Sequence, residues 1–124
     1  MKMDFVFRNF DGQVELSLCE QIHSEDSIVF VCSVHHAPFN AELSVYISLT
    51  EISYFADGLK QMELFHLDTL SLVTLDRDVI ITLKMDETGH IVAFVTVSSG
   101  ARGFLKFDFD FDQSFVKQII NYEA

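Results

Sequence analysis

Hydrophobic and polar residues follow two rhythms along this chain. Over residues 14–18, Val14, Leu16 and Leu18 alternate with Glu15 and Ser17, the period of two that marks a half-buried strand. The same reading gives strands at 3–9, 13–20, 27–36 and 39–49, with Pro38 separating the last two. The period then lengthens, and Ile52, Phe55, Ala56, Leu59 and Met62 recur at helical spacing. Ahead of them "SLTE" (48–51) has the form of a capping box, in which Ser48 accepts from the amide of Glu51 while Glu51 reaches back. A helix is predicted over 49–64, weakened by about 1 kcal/mol at Gly58 relative to Ala.

The second half reads as a meander of strands at 68–76, 78–86, 90–98 and 103–111. Two loops set its register. If "ETG" (87–89) is a three-residue hairpin loop, Met85, Leu83, Ile81 and Val79 face Ile91, Ala93, Val95 and Val97. If "GAR" (100–102) is another, those same residues of the third strand face Phe111, Phe109, Phe107 and Leu105. Both choices converge on one apolar face, which a one-residue slip would destroy. Phe107, Phe109 and Phe111 then point inward while Lys106, Asp108 and Asp110 point out. The alternation stops at Asp112, read as the cap of a second helix in which Phe115, Val116, Ile119 and Ile120 form a buried stripe through about residue 122. The expected class is α+β: one domain, 1–124, with a mainly antiparallel sheet of about eight strands and helices after strand 4 and at the C-terminus.

Composition narrows the choice of partner. Nineteen Asp and Glu against eight Lys and Arg leave a net charge of −11, and 49% of the residues are hydrophobic, thirteen of them Phe. Disorder is excluded by that apolar content. An acidic surface is repelled by nucleic-acid phosphates and by anionic headgroups, so neither nucleic acid nor membrane is an expected partner, and a basic protein is the better match. Asp4 and Arg8 interrupt the N-terminal apolar stretch, which removes the expectation of an export signal. A cytoplasmic location follows as an expectation, with Cys19 and Cys32 as reduced, buried thiols.

Few residues suggest chemistry. Asp108, Asp110 and Asp112 imitate the opening of a calcium loop, but Gln113 stands where the loop needs Gly and Ile119 where it needs Glu. His23, His35, His36, His66 and His90 lack metal-ligand spacing, and adjacent His35 and His36 point to opposite faces of a strand. Hairpin-turn chemistry explains "DETGH". No HExxH, GxSxG or phosphate-cradling loop is present. No metal, cofactor or catalytic residue is therefore assigned, and the expected protein is not an enzyme. What remains is a surface: Asp108 and Asp110, roughly 6.8 Å apart on one strand face, lie opposite Phe94 and Val92, with Lys106 and Lys84 as the nearest cations. They read as a solvated face or as a docking surface for a basic partner. Glu51, Asp57 and Glu63 of the first helix form a second candidate.

The helix "LTEISYFADGLKQME" (49–63), the strand "TLSLVTLD" (69–76), the hairpin "VIITLKMDETGHIVAFVTV" (79–97) and the ending "LKFDFDFDQSFVKQI" (105–119) follow one another in an order that resembles the WapI family of bacterial immunity proteins. The resemblance implies a protein that binds the C-terminal domain of a contact-dependent toxin in the cytoplasm and occludes its active site or substrate path. It assigns no inhibitory residue. Two rivals stand beside it: a module that self-associates, as a homodimer for example, through an exposed sheet edge, and a small-ligand protein with a pocket between sheet and helices.

Overall fold

The computed structural model describes residues 2–100 and 103–123. Four strands come first: β1 (Lys2–Arg8), β2 (Val14–His23), β3 (Ser27–His36) and β4 (Phe39–Ser48). Helix α1 (Leu49–Glu63) follows, then β5 (Thr69–Val73), β6 (Val79–Met85), β7 (His90–Ser98) and β8 (Phe104–Asp112). A 3-10 helix (Gln113–Gln118) and β9 (Ile120–Glu123) end the described chain. The class is α+β, as expected, but the strands divide into two antiparallel sheets. One has the order β4-β3-β2-β1-β9 and the other β5-β6-β7-β8. Helix α1 marks the break, because a helix inserted after β4 carries the chain away from the first sheet's edge.

The period-two pattern does the work in both sheets. Phe5, Phe7, Leu16, Leu18, Phe30, Val45 and Ile47 from the first sheet join Leu72, Ile81, Leu83, Ile91, Ala93, Phe109 and Phe111 from the second in one buried cluster. Helix α1 contributes Ile52, Phe55, Leu59 and Met62 to it. Phe55 is fully buried and meets Phe5 edge-on at 5.8 Å and Phe7 at 6.1 Å, so the helix is clamped to the first sheet by aromatic contacts. Gly58 faces β5, and a Cβ there would stand 2.3 Å from Cδ1 of Leu70. The helix-weakening glycine thus permits a close approach of helix and strand.

The register of the second sheet is the predicted one. Met85, Leu83, Ile81 and Val79 stand opposite Ile91, Ala93, Val95 and Val97. Across the next ladder Ile91, Ala93, Val95 and Val97 stand opposite Phe111, Phe109, Phe107 and Leu105. Ala101 and Arg102 of the predicted "GAR" loop lie outside the described residues. Phe109 and Phe111 are buried, while Phe107 is half-buried and rests edge-on against His36 at 5.4 Å.

Three expectations change. The predicted C-terminal helix is a 3-10 helix that stops at Gln118, and Ile120–Glu123 is a strand. Its start is as read, since Asp112 accepts from the Ser114 amide at 3.0 Å. The free side of β1 decides the rest: β9 pairs Phe5 with Ile120 and Asp4 with Asn121, satisfying backbone groups that a longer helix would leave open. The capping box is half formed. Ser48 Oγ accepts from the Glu51 amide at 3.1 Å, but Glu51 Oε1 accepts from the Val73 amide at 3.0 Å rather than turning back. Of the two cysteines, Cys32 is buried, and burial together with the charge of Asp78 pushes its thiol up to about 12. Cys19 lies half-buried on the sheet's outer face instead of in the core. Among the described residues no helix is long and apolar enough to cross a membrane.

Candidate functional site

Strand alternation that buries the Phe residues of β8 leaves Asp108, Asp110 and Asp112 exposed on the opposite side. Phe94 lies across from Asp108 and Val92 across from Asp110, as the sequence predicted. Phe94 keeps 42% of its surface exposed, and Lys84 Nζ sits 5.6 Å from its ring centre, within cation–π range. Val92 is half-buried. The sequence reading missed one partner here: His90 Nε2 lies 3.0 Å from Asp110 Oδ2. His90 is opposite Asp112 in the ladder, so the contact is a diagonal one, between residues two apart in register.

The two other carboxylates at this end are shaped by their turns. Asp112 is held below the usual carboxylate range by the Ser114 hydroxyl at 2.6 Å and then by the Ser114 amide. Asp86 is held below it first by the Thr88 hydroxyl at 2.6 Å and next by the His90 amide at 3.0 Å. Both are fully exposed, and hydrogen bonds to the ionised form keep the charge in place on moderate acidification. Among the described residues no three His, Cys, Asp or Glu side chains form a metal-holding group.

Helix α1 delivers its C-terminal end to the same place. Gln113 Nε2 donates to the main-chain carbonyl of Glu63, and the Gln113 amide donates to the Gly89 carbonyl at 2.8 Å. Phe65 follows the helix with φ 61°, a left-handed conformation that a bulky residue rarely holds. Its ring covers Gly89, where an added Cβ would stand 3.2 Å from it, and it remains 53% exposed beside Leu64, 59% exposed. The β6–β7 turn with Asp86 and Glu87, the end of β8 with Asp110 and Asp112, and the exposed Leu64 and Phe65 that follow α1 therefore lie at one end of the protein.

This redistributes the candidates. Asp108, Asp110, Val92 and Phe94 share the outer face of the second sheet, whereas Glu63 lines a hollow with Lys60 and Lys117. Glu51 sits at the far end of α1, roughly 18 Å away at 1.5 Å per residue, and its carboxylate is engaged by Val73. Asp57 is exposed midway along the helix. Leu64, Phe65, Asp86 and Glu87 were not singled out in the sequence. The available signal was the pair Leu64–Phe65, which continues past the helical stripe with no buried position to fill. Comparison of the chain with known protein families, with curated proteins and with solved structures returns no match.

Proposed function

We propose that the protein is a non-enzymatic binding protein that acts by one-to-one association of its acidic end with a basic protein partner. The observation that carries this reading is that exposed Leu64 and Phe65 share one end of the protein with the exposed carboxylates Asp86, Glu87, Asp110 and Asp112. Exposed apolar anchors on an acidic end suit a partner surface of opposite sign. Strain at Phe65 is consistent with a side chain held out for contact. With the WapI-family resemblance, the partner is the C-terminal domain of a bacterial toxin, and inhibition is by occlusion in the cytoplasm. A nuclease toxin would offer a basic cleft, since it must hold phosphate, and a net charge of −11 would steer the inhibitor to it.

The test is binding to the C-terminal domain of a basic toxin, sought first among the proteins encoded beside this chain, followed at several salt concentrations. Association should slow steeply with added salt, and the double variant Asp108→Lys, Asp110→Lys should associate about tenfold more slowly at low salt with its fold unchanged. Phe65→Ala should instead speed dissociation. Salt-independent binding, or unaltered kinetics in both variants, would reject the acidic end as the docking surface.

A further inference from the structure

A second feature lies where β1 outruns β9. Strand β9 pairs with β1 only up to Phe5, and Val6 gives the last contact, its amide donating to the Ile119 carbonyl at 2.8 Å. Continuing the ladder would place Gln118 beside Phe7 and Lys117 beside Arg8, but residues 113–118 are coiled into the 3-10 helix. On the other side of β1 the Asn9 amide donates to the Val14 carbonyl at 3.1 Å, so the Arg8 amide, one residue earlier, points away from β2. Two ladders thus agree that the main chain of Arg8 faces the gap. Among the described residues no main-chain group fills it.

The gap is a cleft of about 390 Å³ whose lining includes Val6, Phe7, Arg8, Phe111, Phe115 and Lys117. Its size falls in the small-ligand range. Its lining holds two of the chain's eight Lys and Arg and none of its nineteen Asp and Glu. Half-buried Phe115 and Val6 provide an apolar wall. Arg8 also meets Glu15 at 3.4 Å, an exposed pair that leaves most of its five donors unused. Among the described residues Glu15 is the one carboxylate within ion-pair distance of either cation. One open residue of edge is too short to template an added strand, which runs to at least about three residues. The volume suits a small molecule instead.

We infer that the cleft between β1 and residues 111–121 binds a small organic anion, a carboxylate on an apolar body, with Arg8 and Lys117 holding the carboxylate and Phe115 and Val6 the body. Phenylacetate and its neutral isostere phenylacetamide are suitable probes, followed by NMR titration of the whole chain. Phenylacetate should shift the amides of Arg8, Phe115 and Lys117 saturably and bind roughly tenfold tighter than the amide. Lys117→Gln and Arg8→Gln should each remove most of that preference. Lys117 also borders a shallower hollow beside α1 with Lys60 and Glu63, so Lys60→Gln serves as the control and should leave binding unchanged. Equal affinity for acid and amide, shifts confined to the Lys60 side, or no saturable shift would overturn the inference. The acid-to-amide comparison needs no variant and no protein partner, so it stands or falls independently of the acidic end.

Discussion

The outer face of β8 and the cleft behind it carry opposite charge, although both are made from residues close together in the chain. Asp110 and Asp112 project outward, and Phe111 between them projects inward to line the cleft that Lys117 closes. The acidic face is the product of one strand's alternation, so any strand with this sequence would present it. The cleft exists because β9 pairs with β1 only as far as Phe5 and leaves Arg8 without a strand neighbour on that side. A local pattern makes the first region and a meeting of chain ends makes the second.

Both regions hang on the same core, and the largest effect should come from breaking it. Phe55→Ala removes a fully buried ring from between Phe5 and Phe7 and should cost about 3–5 kcal/mol in urea unfolding. It should loosen the Phe7 wall of the cleft as well. The next largest effect separates the carboxylates that hold the fold from those that face solvent. Glu51→Ala leaves the partly buried Val73 amide without its acceptor and should cost about 1–3 kcal/mol. Asp57→Ala, on the exposed side of the same helix, should stay within about 0.5 kcal/mol; a matching loss there would mean that the helix face is structural throughout.

A subtler contrast lies in pH. Hydrogen bonds from Ser114 hold Asp112 below its usual value of 3.8. A depressed folded pKa stabilises the fold above the unfolded pKa, and that contribution is lost as pH falls through the folded one. Asp112→Ala should therefore lower the urea midpoint at pH 7, and the gap from wild type should narrow progressively below pH 3.8. Asp112→Asn, which keeps a capping acceptor, should lose less at pH 7. A gap that is the same at every pH would show that the charge of Asp112 contributes nothing to its capping role. Lys84→Gln removes the cation over Phe94 and should cost about 0.5–1 kcal/mol.

The pairing of β6, β7 and β8 was determined locally. Short Gly-containing loops and alternating side chains admit one register with a continuous apolar face, so the inward aromatics and outward Asp108 and Asp110 could be read in advance. Helix α1 was legible for the same reason, its apolar stripe and Ser48 cap lying within one short segment. Residues 113–123 were not. Phe115, Val116, Ile119 and Ile120 fit a helical stripe, yet the unpaired edge of β1, more than a hundred residues earlier, drew the last of them into a strand. The direction of Glu51 was also decided outside its own segment, because the amide it serves lies 22 residues on, in β5. The cleft is an assembly of segments far apart in sequence. Alternation and capping act between near neighbours and are written in the chain, whereas an open backbone edge is satisfied by whichever segment the completed fold brings to it.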